Sequence, residues 1–506
     1  MPSLNWIGKE AVANHDKEVP FKLLKKVKTA SVGDNSQNLI IHGDNLEGLK
    51  ALMPYYYGKI DCIYIDPPYN TGNESWTYND KVNSPKIRQW LGKVVGRQSE
   101  DLTRHDKWLC MMYPRLKLLR DLLAEDGSIF VQIDGNESGN LRLLMDEVFG
   151  PDNYRNQITW LRSSSGKTVS RNLSEDTDYI FWYSKSDQYK FKHVYKPLSE
   201  GTRAMYNKND NDGRGFYRLY PLQKTGGPGP QTTYDYIDNR GKVWKCPKKG
   251  WRMRKEKLKA LENDGRLYFE GNSLAEKAYW DERENEGQIA NNLWNDIYNL
   301  QGANTEKIDF VGQKPSKLIK RIIEMSTDSK EAIILDSFAG SGTTAHAVMD
   351  LNKNDSGFRQ FILVEMEDNT ALKITIPRLK RNIEDNKYKD GFEYCELDKP
   401  LFNEHGQIEE TCDFRQFATY IYFTETQTNI DPKEIDENFI GELGTTEYYL
   451  LYKGKNKNDL DKSFLKKIRK TDNKKVVYAD RCLIDDETLA KHNVVFKQIP
   501  YEVKVY

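Results

Sequence analysis

Ile60-Asp61-Cys62-Ile63-Tyr64-Ile65-Asp66-Pro67-Pro68-Tyr69 is a short apolar run closed by an acid, two prolines and an aromatic ring. A run of this length, ended by breakers, reads as a strand buried on both faces. Its flanks repeat the theme. Residues 38–44 read as a strand and Leu46, Leu49 and Leu52 as a helix face. Residues 113–123 carry Leu116, Leu119, Leu122 and Leu123 at helical spacing, and Glu125-Asp126-Gly127 acts as a stop before a strand over 128–133. A second such stretch runs from about Lys314 to Asn369. It predicts a helix over 316–325, a strand over 332–336, a tight turn at Phe338-Ala339-Gly340-Ser341-Gly342, a helix over 343–351 and a strand over 361–365. Buried strands alternating with helices predict an α/β fold built on a parallel sheet.

Around these stretches the texture changes. Residues 186–300 are dominated by Gly, Asn, Asp, Lys and aromatics, with the breaker cluster Thr225-Gly226-Gly227-Pro228-Gly229-Pro230, and read as an inserted module. Beyond about Asp398 come strand-like pieces (417–423, 448–452, 476–478) between charge runs, expected to form a separate C-terminal domain. At ~150 residues per domain, 506 residues suit roughly three domains.

Lys+Arg and Asp+Glu both number 76, so the net charge is zero, yet the distribution is uneven. Residues 240–259 hold ten cations and one acid; 404–447 hold eleven acids and two cations; 453–475 hold ten cations and three acids. The first run marks a nucleic-acid-facing segment more than a neutral average suggests. The 12% aromatic content excludes a disordered chain. No run of 18 apolar residues occurs and the first nine residues lack a signal-peptide core, so no membrane partner is expected and a cytoplasmic location is. No two of the six cysteines lie within four positions, which leaves no zinc or redox pair and predicts no metal.

Two motifs carry chemistry. Asp66-Pro67-Pro68-Tyr69 sits at a strand end, where α/β sheets bind ligands. Neither proline donates a hydrogen bond, so the Asp66 carboxylate and the turn carbonyls form an acceptor-only cluster beside the π-face of Tyr69. Such a cluster suits a planar group with an exocyclic amine, such as adenine. The glycine turn after Asp336, with Phe338, Gly340, Gly342 and Thr343, permits close backbone approach at a helix start. It lacks the lysine of a nucleotide-triphosphate loop. Glu365, at the next strand end, is the residue type that accepts hydrogen bonds from ribose hydroxyls. Turn, helix start and acid point to a nucleoside-containing cofactor.

The two motifs, in this order and with a variable module between them, resemble the β class of S-adenosylmethionine-dependent DNA amino-methyltransferases. Residues 126–134, Thr177-Asp178-Tyr179-Ile180-Phe181-Trp182-Tyr183 and Gln313-Lys314-Pro315-Ser316 extend the likeness. The opening Leu4-Asn5-Trp6-Ile7-Gly8-Lys9 and the C-terminal extension are similar to the modification (Mod) subunits of bacterial type III restriction-modification systems.

The resemblance implies a circularly permuted Rossmann-like sheet: residues 1–190 as its catalytic part, 191–300 as an inserted target-recognition domain, 301–398 as its cofactor part, and 399–506 as a C-terminal α+β domain for assembly. It implies methyl transfer from S-adenosylmethionine to N6 of an adenine flipped out of duplex DNA. Asp66, Pro67, Pro68 and Tyr69 would serve catalysis. Lys314, Pro315, Asp336, Phe338, Gly340, Gly342, Thr343 and Glu365 would hold the cofactor, Lys314 and Pro315 its methionine part. Asp44 resembles a position contacting the cofactor's adenine, and reads equally well as a helix N-cap. In the insert, Lys248, Lys249, Trp251, Arg252 and Arg254 interleave cations with an aromatic, as phosphate and base contacts require. The expected partners are double-stranded DNA, a second copy of the chain and a separate translocase-nuclease restriction subunit. The alternatives are a solitary DNA methyltransferase acting on adenine or on N4 of cytosine, an RNA or protein methyltransferase, and a non-catalytic DNA-binding subunit.

Overall fold

The computed structural model describes residues 4–33, 36–70, 104–163, 173–198, 200–271, 273–284, 287–302, 304–402, 408–409, 411–453 and 458–499. Residues 404–407, Glu410 and residues 454–457, parts of the two C-terminal charge runs, lie outside them.

The central strands are β1 (Lys22–Lys26), β2 (Leu39–His42), β3 (Ile60–Ile65), β4 (Leu123–Ile133), β5 (Tyr154–Leu161), β6 (Thr177–Ser184), β7 (Leu293–Trp294), β8 (Ile333–Asp336), β9 (Gln360–Glu365) and β10 (Glu393–Pro400). They form one sheet in the order β1-β10-β2-β9-β8-β3-β4-β6-β5-β7. The late strands β8 and β9 lie between the early strands β2 and β3. That is a circularly permuted α/β sheet, as expected. From β10 to β4 every pairing is parallel. The margins differ from the parallel sheet expected: β1 runs antiparallel to β10, and β6 runs antiparallel to both β4 and β5. Glu125-Asp126-Gly127 does not separate helix from strand either. Helix α2 (Arg104–Leu122) passes directly into β4, and the pairing shifts register between Ile60 and Cys62 instead.

The apolar runs explain the core. Ile63, Ile65, Ile129, Val131, Leu335 and Val364 are fully buried, with Leu116, Leu119 and Leu122 of α2 in the same cluster. Each such side chain contributes ~1.5–3 kcal/mol on leaving water. Helix α1 (Asn45–Tyr56) starts where the Asp44 carboxylate accepts from the amides of Leu46 and Glu47. Helices α3 (Ser316–Ser326) and α4 (Thr343–Asp355) flank β8 in sequence.

Register sets the position of the site. Leu335 of β8 pairs with Ile63 of β3. Asp66 follows the end of β3 directly and Phe338 lies two residues past the end of β8, so the two motifs leave adjacent parallel strands at the same edge of the sheet.

Residues 193–291 form their own compact unit, against the 191–300 read from sequence. It contains a three-stranded sheet of Tyr217–Pro221, Ser273–Tyr279 and Leu267–Glu270, and the helix Lys255–Asn263. The remaining chain, 1–192 with 292–506, is the other unit.

Within it, the C-terminal segment has a four-stranded sheet of β11 (Phe439–Leu443), β12 (Thr446–Leu450), β13 (Lys474–Ala479) and β14 (Val494–Gln498). The stretch 417–423, expected as a strand, lies inside helix α5 (Phe414–Thr426). Its apolar residues Phe417, Ala418, Ile421 and Tyr422 recur at helical spacing, and Asp413 with Gln416 forms a capping box. Phe417 and Ile421 pack in one cluster with Phe21 and Leu23, so this segment shares a core with the N-terminal strand.

Candidate active site

Asp66 follows β3 with two different carboxylate oxygens. Oδ2 accepts the Lys314 ammonium as an ion pair. Oδ1 is buried and meets no hydrogen-bond donor among the described residues. A buried acceptor without a partner costs about 1–3 kcal/mol, which a ligand's N–H recovers. The Pro68 carbonyl is taken by the Trp108 indole at 2.7 Å.

Tyr69 is fixed by a polar network. Its hydroxyl donates to Asp178 Oδ2 at 3.1 Å and accepts from Gln132 Nε2 at 3.0 Å. Gln132 also donates to Asp178 at 2.9 Å, and Arg162 lies 3.3 Å from the other Asp178 oxygen. Burial, then the charges of Asp66 and Asp178, push the Tyr69 phenol well up, so it stays a neutral ring with an oriented face. The Lys314 ammonium stands 5.2 Å from that ring's centroid. Asn70, buried and left-handed at φ 57°, donates to Glu137. Glu137 also accepts from Asn140 at 2.8 Å and pairs with His105 at 2.6 Å. Sequence reading missed this anchor of the turn, and the Lys314–Asp66 pair, because the partners are far apart in the chain.

The glycine turn is tied down from below. Asp336 accepts from the Phe338 amide at 3.0 Å and from the Thr344 hydroxyl at 2.6 Å, and burial raises its carboxyl to about 7. Gly340 and Gly342 have φ of 50° and 77°. Glu365 accepts from the Gly340 amide at 2.7 Å and the Glu367 amide at 3.0 Å. Each of its oxygens keeps a lone pair for a ribose hydroxyl. Buried Arg378, lowered to about 10 by desolvation, donates to the Ser341 carbonyl and hydroxyl and to Thr343 Oγ1. Thr343 Oγ1 in turn donates to the Lys314 carbonyl at 3.2 Å. Lys314 thus touches both motifs, its backbone at the glycine turn and its ammonium at Asp66. Pro315 is the N-cap residue of α3. Ser337 Oγ, at the foot of the turn, is buried and has no partner among the described residues. Open glycine backbone, this orphaned hydroxyl and the Glu365 lone pairs fit a nucleoside-bearing cofactor. Asp44 spends its carboxylate on capping α1 and on Arg115 at 3.4 Å.

Burial lifts the Glu365 carboxyl to about 7, opposed by the backbone amides of Glu367, Gly340 and Met366. A carboxyl raised above its unfolded value favours the protonated native form, so its contribution to stability falls as pH rises from about 4.5 to about 7. Ribose recognition needs the ionised acceptor and runs the other way. Affinity for S-adenosylmethionine is therefore expected to rise about tenfold between pH 6 and pH 8. Calorimetric titration of wild type and Glu365→Gln checks this. Asp336 titrates in the same range, so a rise that persists undiminished in the variant would assign it to Asp336.

The insert requires one correction. Lys248, Lys249, Arg252 and Arg254 are exposed, Arg252 being paired with Glu276. Trp251 is only 4% exposed and packs with Leu222, Tyr236, Trp244 and Met253. Its indole donates to the Tyr234 carbonyl at 2.6 Å. Trp251 and Met253 are buried while Arg252 and Arg254 between and after them are exposed. Trp251 is a core residue, not a DNA contact. Trp251→Ala should destabilise the protein by ~3–5 kcal/mol, whereas Arg254→Ala should leave its melting curve unchanged. Thermal unfolding of the two variants decides; equal melting curves would remove the core assignment.

Residues 60–375 match the family described as DNA methylase (N6_N4_Mtase). The type III restriction-modification enzyme StyLTI Mod subunit of Salmonella typhimurium is 34% identical over 359 residues, covering 67% of this chain and 54% of that protein. The EcoP15I Mod subunit of Escherichia coli is 28% identical over 495 residues, covering 84% and 75%. The type II methyltransferase M.KpnI of Klebsiella pneumoniae is 32% identical over 403 residues, covering 73% and 87%. The match to StyLTI thus spans about half of that relative's length.

Proposed function

The chain belongs to the DNA methylase family that its residues 60–375 match, and from that premise we propose that it methylates N6 of adenine in duplex DNA as the modification subunit of a type III-like restriction-modification system. The observation that carries this reading is the exit of two motifs from adjacent parallel strands at the same edge of the sheet, Asp66 after β3 and Phe338 after β8. It sets an amine acceptor beside a nucleoside cradle, which is the geometry a direct group transfer requires.

S-adenosylmethionine supplies an electrophilic methyl group on a sulfonium. The protein's part is to hold and to polarise. The glycine turn and Glu365 seat the nucleoside. Tyr69, held by Asp178 and Gln132, offers a fixed face for a flipped base. The adenine amine is a weak nucleophile because its lone pair is delocalised into the ring. Asp66 and the Pro67 carbonyl accept its two N–H groups, favouring electron density on nitrogen as positive charge develops there. Asp66, rather than Ser, at the head of the motif favours adenine over cytosine. The exposed cations Lys248, Lys249, Arg252 and Arg254 of the insert supply contacts to DNA.

Tritium transfer from labelled S-adenosylmethionine to DNA, RNA or protein tests the substrate class. Sequencing genomic DNA from a host with and without the gene gives the base and its site; label in RNA or protein alone would overturn the reading. The relatives named as Mod subunits of restriction-modification enzymes support a separate restriction subunit as partner; we propose in addition that two copies of the chain assemble, in the cytoplasm. Light scattering of the full chain showing only monomer would remove the dimer.

A further inference from the structure

The Lys314 ammonium meets the two groups that the proposed function assigns to the target base. It donates to Asp66 and stands over Tyr69, 5.2 Å from the ring centroid. A nitrogen donor on the carboxylate combined with favourable contact to the π-face is what an adenine amine and ring would present there. The Lys314 side chain is 11% exposed, so most of it is packed against the protein on its way to Asp66.

We propose that Lys314 is an internal surrogate for the flipped base, which fills the base pocket of the free enzyme and must withdraw for adenine to enter. This inference rests on the methyltransferase reading and deepens it. The backbone supports a swing of the side chain alone. The Lys314 carbonyl is held by Thr343, and Pro315 behind it caps α3, so the main chain stays docked on the glycine turn. The ammonium has a second acceptor at the Gly312 carbonyl, 3.3 Å away, on which to rest when Asp66 is occupied. No proton need move: the lysine leaves as a cation, and an amine N–H replaces it on Asp66 Oδ2.

The surrogate has an energetic role. An unpaired carboxylate in a half-closed pocket is costly, and the lysine removes that cost while the pocket awaits DNA. Base entry is then an exchange of donors, so binding of the flipped base is weakened by the strength of the pair it displaces. A charge-assisted hydrogen bond of this kind corresponds to about tenfold in affinity.

The test uses the full chain without cofactor. The probe is a duplex carrying the site found by sequencing, with 2-aminopurine in place of the target adenine, whose fluorescence rises as it leaves the stack. Lys314→Met should bind this duplex about tenfold more tightly, with a larger fluorescence rise. It should bind a duplex lacking the site no better than wild type, since the lost positive charge favours weaker binding. Lys314→Arg, which keeps the pair, should behave as wild type. In an Asp66→Ala background, Lys314→Met should add nothing. Unchanged or weaker site binding by Lys314→Met would overturn the inference, as would a full effect in the Asp66→Ala background. If the wild-type protein methylates DNA and these ratios do not move, the surrogate alone falls. If it methylates no DNA, the function falls with it.

Discussion

Asp66→Ala is expected to slow methyl transfer by about 10²–10³-fold while leaving cofactor affinity unchanged, because the lost acceptor acts on charge that develops during transfer. The structure sharpens this in two ways. Oδ1 is a buried acceptor with no donor among the described residues, which leaves it open to a ligand's N–H. Removing the carboxylate also frees Lys314, so DNA binding should be kept or strengthened rather than lost. Asp66→Asn serves as the isosteric control. It keeps the volume but offers N–H groups where the amine needs an acceptor, and should be nearly as slow. Single-turnover tritium transfer at saturating DNA and cofactor measures the step directly. Turnover near wild type in either variant would remove Asp66 from catalysis.

The sheet and its two motifs were readable because they are local. Residues 60–69 carry a buried strand and its breakers within one decapeptide, and 332–344 carry strand, turn and helix start within thirteen residues. Periodicity failed at 417–423, where aromatic and β-branched residues suggested a strand although their spacing, with the Asp413 cap, is helical. It failed again at Trp251, where interleaved cations drew attention to charge and away from alternation. The Lys314–Asp66 pair spans 248 positions, and no local rule reports a contact of that separation. The same is true of Arg378 beneath the glycine turn, 37 residues from Ser341.

The C-terminal segment shows how packing limits the experiments a sequence suggests. A chain cut near Asp398 keeps both motifs and reads as a clean domain deletion. In the structure β10 spans Glu393–Pro400 and pairs with both β1 and β2, so that cut passes through a strand. It also strips Leu401, Phe402 and Phe417 from Phe21 and Leu23. Loss of assembly by such a truncation would report unfolding as readily as a lost interface. Oligomeric state is better addressed in the full chain by charge reversal on exposed lysines of the 453–475 run.

The glycine turn offers the other large effect, and it separates backbone from side-chain roles. Gly342 sits at φ 77° as the residue preceding α4, a conformation that L side chains rarely adopt. A Cβ placed there would lie 3.0 Å from Thr375 Cγ2 and 3.4 Å from Leu379 Cδ1. Gly342→Val adds two further methyl groups to that contact, and the left-handed backbone alone costs about 1–3 kcal/mol. The chain can relieve the strain only by shifting the turn, and the turn is what seats the nucleoside. Gly342→Val should therefore lower S-adenosylmethionine affinity by about 10–100-fold, the same energy expressed as binding. Gly340→Ala should act more mildly. Its φ is 50°, and its Cβ would meet the edge of the Phe310 ring at 3.4 Å, a side chain that can move aside, and the Phe338 carbonyl at an ordinary 3.9 Å. Calorimetric binding, with circular dichroism to confirm that both variants fold, ranks the two. Equal, wild-type-like affinities would mean that the cofactor does not depend on this turn, and the nucleoside site would have to lie elsewhere along the carboxyl ends of the sheet.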